Sequence, residues 1–150
     1  MLNLYTITSR FQRMLLICVA TLFSSILSAE QKPYAPENIQ DVTVVTAEQV
    51  IDLILADPDL IVIDSRKKSE YTKGHIEGAI NLLNTGLQRA DIEQLTQEKS
   101  RAMLFYCNGL RCLRSSDSIK KAKSWGYTNL IWFRGGWKEW TEKRLPVITE

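Results

Sequence analysis

The chain has 150 residues, of which 45% are hydrophobic and 24% charged, with a formal net charge of +2 at pH 7. This length and composition are typical of one soluble globular domain and exclude a low-complexity or disordered protein. The basic residues form no clustered basic face of the kind that nucleic-acid binding requires, so no nucleic-acid partner is expected.

The first 29 residues differ from the rest of the chain. They contain no acidic residue, two arginines and an apolar run from Met14 to Leu27. The run is shorter than a membrane span and ends in the small residues Ser28-Ala29, so it predicts a secretory signal peptide over residues 1–29. Because Leu27 stands where a small residue is usual, the alternative is an uncleaved segment that anchors the protein to a membrane. We therefore expect a periplasmic or secreted protein.

Removal of this segment would change both the charge and the set of cysteines. Two of the 19 basic residues lie in it, which leaves 17 basic against 17 acidic residues. Cys18 also lies in it, as an apolar member of the signal, which leaves Cys107 and Cys112. Exported proteins meet conditions that favour disulfides, so a Cys107–Cys112 bond is possible but not decided by the sequence.

After an N-terminal arm over residues 30–41, hydrophobic patterns predict alternating strands and helices. Thr46 and Gln49 form a capping box that starts the first helix, which Asp57-Pro58-Asp59 ends. Strands are predicted at residues 42–45, 60–63, 79–82, 102–106 and 129–133, and the later helices at residues 68–72, 88–97, 115–125 and 137–143. This alternation predicts an α/β domain over residues 42–147, a mostly parallel five-stranded sheet with helices on both faces.

The most informative segment is the one from Leu104 to Ser116. An apolar strand ends at Cys107, a loop with Gly109 and two arginines follows, and a helix begins near Ser115. At such a junction, backbone N–H groups and the positive end of the helix dipole are expected to converge on the Cys107 sulfur and to lower its pKa. The pattern predicts that Cys107 is a nucleophile.

Four separated segments resemble, in order and spacing, the rhodanese homology domain, a sulfurtransferase fold. They are Val62-Ile63-Asp64-Ser65-Arg66, residues 70–81 with Gly74-His75-Ile76, Tyr106-Cys107 with its loop, and residues 126–147 with Gly135-Gly136-Trp137. The resemblance implies a three-layer fold in which Cys107 accepts sulfane sulfur as a persulfide and passes it to a nucleophile. The implied partners are a small sulfur-containing anion or persulfide donor and a thiol acceptor, with no cofactor.

The loop after Cys107 supplies the other candidate site residues. Asn108, Gly109 and Leu110 are expected to contribute backbone N–H groups, with a positive φ at Gly109. At least one of Arg111 and Arg114 could bind an anionic donor; the alternatives are a solvated loop arginine or a surface pair with Asp117. Cys112 and Leu113 complete this predicted substrate-binding loop. The resemblance also implies that Asp64 and Arg66 brace the loop.

Three other functions remain as alternatives. Related cell-cycle phosphatases and arsenate reductases require an arginine six residues after the cysteine, but that position holds Leu113. Cys107 and Cys112 could instead form a thiol-disulfide redox module, in which Cys112 resolves the persulfide or protects Cys107. The domain could also be a non-catalytic binding module, with Cys112 packing under the helix.

The remaining conspicuous residues have structural interpretations. His75 is the only histidine and lies in the predicted turn, where a structural role is favoured over a Cys–His pair. With one histidine and two cysteines, no metal site is expected. The four tryptophans fit helix and core packing, although Trp137 could line the mouth of the pocket.

Overall fold

The computed structural model describes residues 33–150, so the predicted signal peptide at residues 1–29 and Cys18 lie outside the described residues. Five strands form one sheet in the order β1-β5-β4-β2-β3, and every pairing is parallel. The strands are β1 (Val42–Val44), β2 (Ile61–Asp64), β3 (Ile80–Asn81), β4 (Met103–Tyr106) and β5 (Leu130–Phe133). The helices are α1 (Ala47–Ala56), α2 (Lys68–Tyr71), α3 (Arg89–Leu95), α4 (Arg114–Ser124) and α5 (Gly136–Glu142).

The predicted fold class is confirmed, and each predicted element is present with ends shifted by a few residues. The capping box of α1 is formed as expected. Thr46 Oγ1 accepts a hydrogen bond from the Gln49 N–H at 3.4 Å, and Gln49 Oε1 accepts one from the Thr46 N–H at 2.9 Å. Helix α4 starts one residue earlier than predicted, at Arg114, which brings its N-terminus closer to Cys112.

Hydrophobic clusters cover both faces of the sheet. One contains Val50 of α1 and Trp140 of α5, and the other contains Ile92 of α3 and Ile119 of α4. Strand β4 lies between β2 and β5, and all four of its residues are fully buried. An apolar run with no alternation suits this position, because both faces of the strand meet helices. The carboxyl end of β4 therefore lies at the middle of the sheet edge where ligands bind in open α/β folds.

The described part of the N-terminal arm packs against the domain. Ala35 is buried, and its N–H donates to the carbonyl of Leu110 at 2.8 Å. The Arg134 guanidinium donates to the carbonyls of Ala35 and Pro36. Within residues 33–150, no helix has the length and apolar character needed to cross a membrane.

Candidate active site

Cys107 directly follows β4 and begins a loop that ends where α4 starts. Its side chain is only 2% exposed, and its carbonyl accepts a hydrogen bond from the Trp137 N–H at 2.8 Å. The sulfur faces the first turn of α4, where Ser115 Oγ donates to Cys107 Sγ at 3.2 Å. Trp132 Nε1 in turn donates to Ser115 Oγ at 3.0 Å. Strand, loop and helix thus fix this thiol in one position.

The expectation that the loop lowers the pKa of Cys107 is wrong. Burial raises the pKa of this thiol, and its side-chain hydrogen bond with Cys112 raises it further. Moreover, Cys107 Sγ donates to the backbone carbonyl of Cys112 at 3.1 Å, an arrangement that requires the proton. The Ser115 hydroxyl and N–H favour the thiolate but do not outweigh burial. Cys107 is therefore held as a protonated thiol.

Cys112 has the opposite surroundings. Its side chain is half-buried, and Arg114 Nε donates to Cys112 Sγ at 3.3 Å. The hydrogen bond from the Cys107 side chain lowers the pKa of Cys112 most, and Arg114 and the backbone N–H groups of Asn108 and Arg114 add to this effect. Of the N–H donors predicted to surround Cys107, that of Asn108 binds Cys112 instead, and these surroundings lower the pKa of Cys112 and favour its thiolate.

Arg114 is held in place by a carboxylate that sequence reasoning missed. Its Nη1 lies 2.6 Å from Glu70 Oε2, and Asn108 Nδ2 donates to Glu70 Oε1 at 2.5 Å. The hydrogen bond from Arg114 lowers the pKa of Glu70 to about 2. Asn108 therefore acts through its side chain as well as its backbone, which corrects the expectation. Asp117 is not the partner of Arg114, since it accepts a hydrogen bond from Asn84 at 3.4 Å.

The other loop arginine contacts the N-terminal arm. Arg111 Nη2 donates to the hydroxyl of Tyr34 at 2.9 Å, and its guanidinium lies 4.6 Å from the centre of the Tyr34 ring. Leu110 and Leu113, the apolar members of the loop, are 44% and 38% exposed. The rim of the loop thus presents one solvent-facing cation and two exposed leucines.

Two glycines allow the loop to approach the start of α5 closely. Gly109 has a φ of 139°, as predicted, and Gly136 has a φ of 57°. A β-carbon on Gly136 would lie 2.2 Å from the carbonyl oxygen of Cys107. Only glycine fits there, because the position needs both a left-handed conformation and the absence of a side chain.

Asp64 and Arg66 form a buried ion pair that braces a turn rather than the loop itself. Arg66 Nη2 lies 2.6 Å from Asp64 Oδ2 and donates to the Gly74 carbonyl at 2.7 Å. The Arg66 guanidinium also lies 4.3 Å from the centre of the Trp137 ring. Trp137 in turn binds the Cys107 carbonyl through its N–H, and the same guanidinium lies 5.7 Å from the centre of the ring of Tyr106, the residue before Cys107. The pair therefore reaches the loop through these two aromatic residues.

His75 has a structural role, as its place in the sequence suggested. Its ring stacks on Tyr71 with 3.8 Å between ring centres, and its Nδ1 lies 3.1 Å from the Tyr71 carbonyl oxygen. Trp132 and Trp140 are buried, and Trp140 Nε1 donates to the Pro146 carbonyl at 2.8 Å. Among residues 33–150, no three His, Cys, Asp or Glu side chains are grouped so that they could hold a metal ion.

Residues 46–143 match the family described as the rhodanese-like domain, and the chain belongs to that family. It is 34% identical over 110 residues to the rhodanese domain-containing protein CG4456 of Drosophila melanogaster, covering 65% of this chain and 96% of that one. It is 27% identical over 108 residues to Escherichia coli YibN, covering 71% and 73% of the two chains.

The solved polysulfide-sulfur transferase homodimer of Wolinella succinogenes has the same fold. The two chains share 17% identity with a TM-score of 0.58, and the match covers 73% of this chain and 80% of that one. Family membership and fold therefore place this chain among rhodanese-like proteins, a class that includes sulfur transferases.

Proposed function

We propose that the protein is a sulfurtransferase in which Cys107 takes a sulfane sulfur from an anionic donor and passes it to a thiol or another nucleophile. The observation that supports this most is the position of Cys107. It lies at the carboxyl end of the central strand β4, and its sulfur is bound by the Ser115 hydroxyl at the start of α4. The Ser115 hydroxyl and N–H are the donors that favour an anionic Cys107 sulfur during the transfer.

The first step transfers the outer sulfur of a thiosulfate-like or persulfide donor. Cys107 Sγ attacks that sulfur, the donor S–S bond breaks, and its electron pair leaves with sulfite or a thiolate. The buried Cys107 thiol must lose its proton as it attacks. The Cys107 proton points to the backbone carbonyl of Cys112, and the thiolate of that same residue is the group that accepts it.

In the second step the acceptor attacks the outer sulfur of the Cys107 persulfide. The bond between the two sulfurs breaks, and its electron pair returns to Cys107 Sγ. Arg114 is already paired with the Glu70 carboxylate, so its charge is not available to a donor. Arg111 is exposed and is therefore the loop cation that attracts an anionic donor. Leu110 and Leu113 give the acceptor an apolar surface beside the pocket.

The test is the transfer of labelled sulfur from thiosulfate to cyanide or a small thiol by the full chain. Cys107→Ser is expected to lower the rate by at least about a thousandfold, as removal of a covalent nucleophile does. Cys18→Ser is the matched control and is expected to retain the rate, because Cys18 lies outside the matching residues 46–143. Trypsin should release Cys107 in residues 102–111, so the label is located directly.

Two results would reject this function. One is that neither thiosulfate nor inorganic polysulfide adds a sulfur to the 102–111 peptide, in the wild type or in Cys112→Ser. The other is that Cys107→Ser transfers sulfur as fast as the wild type.

A further inference from the structure

The sulfur-transfer reaction uses Cys112 only as a proton acceptor. The hydrogen-bond donors around the Cys112 sulfur stabilise its thiolate, which suits a nucleophile better than a base. Arg114 Nε and two backbone N–H groups stabilise the Cys112 thiolate, and Glu70 and Asn108 hold that arginine in place. The backbone carbonyl of Cys112 accepts a hydrogen bond from Cys107 Sγ at 3.1 Å. A nucleophilic thiol therefore lies next to the atom that carries the transferred sulfur.

We propose that Cys112 is a resolving thiol, which attacks Cys107 Sγ after Cys107 has accepted a sulfur, and releases that sulfur as sulfide. This inference rests on the proposed function and extends it from sulfur transfer to the reduction of sulfane sulfur. The product is a disulfide between Cys107 and Cys112.

The step balances without an external oxidant. The Cys112 sulfur forms a bond to Cys107 Sγ, and the bond from Cys107 Sγ to the outer sulfur breaks. The electron pair of the broken bond leaves with the outer sulfur, and the proton that Cys112 accepted during loading passes to it to give HS⁻. The outer sulfur is reduced to sulfide, while the two cysteine sulfurs are oxidised to the disulfide.

Loop geometry favours this attack over the approach of a second molecule. The persulfide bond lies at a residue that is 2% exposed, so an external thiol reaches the inner sulfur poorly. Cys112 belongs to the same loop, five residues along the chain, and its carbonyl already accepts the Cys107 thiol at 3.1 Å. A disulfide requires that the two α-carbons lie within about 7 Å and that the two β-carbons point toward each other, which a loop of this length allows.

The cycle then needs a reductant of a defined chemical class. A dithiol, or two monothiols, supplies two electrons and two protons to the Cys107–Cys112 disulfide and becomes a disulfide itself. Cys112 is the half-buried member of the pair, so it is the sulfur that such a reductant reaches first. The predicted partner of the oxidised protein is therefore a reducing thiol rather than a sulfur acceptor.

The experiment follows labelled sulfur through one turnover. The full chain is reduced, freed of reductant without oxygen, and mixed with one equivalent of thiosulfate labelled in its outer sulfur. After alkylation of the remaining thiols, trypsin cleavage after Arg111 separates Cys107 in residues 102–111 from Cys112 in residues 112–114. These two peptides stay joined only if the disulfide has formed.

In the wild type we expect the joined peptides together with one labelled sulfide per chain. Cys112→Ser lacks the proton acceptor and should load more slowly, but the label that it does take up should stay as a persulfide on the 102–111 peptide, with no sulfide released until an external thiol is added. Without thiosulfate the joined peptides should be absent.

A second variant keeps the test informative if Cys112→Ser misfolds. Arg114→Lys removes the planar group bound to Glu70 and is expected to slow release of sulfide at least tenfold, while the persulfide accumulates. The control is Arg89→Lys. Arg89 forms a surface ion pair with Glu93, with Nε 2.7 Å from Oε1, and its replacement should change neither the loading of Cys107 nor the release of sulfide.

The outcomes separate the two proposals. A labelled persulfide that persists on wild-type Cys107 beside an alkylated Cys112 overturns the resolving role and leaves the transferase intact. Failure of any label to reach Cys107 overturns both. Equal sulfide release by the wild type and Cys112→Ser also contradicts the resolving role.

Discussion

Cys107 and Cys112 lie in one loop, five residues apart, and have opposite surroundings. Cys107 is buried and donates its proton to a carbonyl, whereas Cys112 is half-buried and accepts from an arginine and two backbone N–H groups. Both sulfurs lie near the N-terminus of α4, so proximity to a helix dipole does not distinguish them. The ionisation of each thiol depends first on its burial and then on whether carbonyls or N–H groups face it.

The largest effect is expected where the Cys107 side of the loop meets α5. In Gly136→Ala the new β-carbon would meet the Cys107 carbonyl at 2.2 Å, and the φ of 57° disfavours any side chain. Strain and crowding together should lower the free energy of unfolding by about 3 kcal/mol. Urea denaturation of the variant measures this, and sulfur loading of Cys107 should fall with it.

Gly126→Ala is the matched control. Gly126 also has a positive φ, of 89°, but nothing lies within 4 Å of the added carbon. Only the backbone strain remains, so a loss of about 1 kcal/mol is expected. Equal losses for the two variants would show that the close approach of Gly136 to Cys107 has no energetic importance.

A smaller and pH-dependent effect is expected on the Cys112 side. The pKa of Glu70 falls from 4.5 to about 2 because of Arg114, so the Glu70–Arg114 pair stabilises the fold above pH 4.5. This contribution is lost as the pH falls through about 2, where the folded carboxylate takes up its proton. Glu70→Gln should therefore cost roughly 1 kcal/mol at pH 7, and the difference from the wild type should shrink between pH 4.5 and 2.

Glu93→Gln is the control for this change, because it removes the acid of the surface pair with Arg89. Denaturation of both variants across this pH range measures the difference. A Glu70→Gln cost that stayed constant down to pH 2 would mean that Glu70 does not act through its charge.

The smallest effect concerns the arm that covers the loop. Tyr34→Ala removes both the hydrogen bond and the ring contact with Arg111. Because Tyr34 is 58% exposed, the loss in the free energy of unfolding should be about 0.5 kcal/mol. Tyr34→Phe keeps the ring and should lose less, whereas a larger loss for Tyr34→Phe would contradict the ring contact.

Much of the fold could be predicted because each element has a local signal. Thr46 and Gln49 specify the start of α1, and the apolar run before Cys107 specifies a strand buried on both faces. The position of Cys107 between strand and helix followed directly. Export of the chain and cleavage after Ala29 stay predictions.

The surroundings of the two thiols could not be predicted, because they depend on residues far apart in the chain. Glu70 lies in α2, 44 residues before the Arg114 that it binds. Tyr34 likewise meets Arg111 across 77 residues. No local pattern reports such a contact, nor does it show which way the peptide group after Cys112 points. Burial of Cys107 and that carbonyl together keep the proton on Cys107.

The central claim is that Cys112 is ionised beside a protonated Cys107. Its most direct test is a pH titration that follows the ultraviolet absorbance of the thiolate. Three proteins are compared: Cys18→Ser, which leaves only the two loop thiols, and the double variants that combine it with Cys107→Ser or with Cys112→Ser. The groups that face Cys112 are Cys107, Arg114 and, through Arg114, Glu70. With Cys107→Ser, Arg114 and the two backbone N–H groups still face Cys112, so a thiolate that titrates below the ordinary thiol value of about 8.5 is expected, and it should vanish with Cys112→Ser. A low-titrating thiolate that persists with Cys112→Ser would assign the charge to Cys107 and contradict the account.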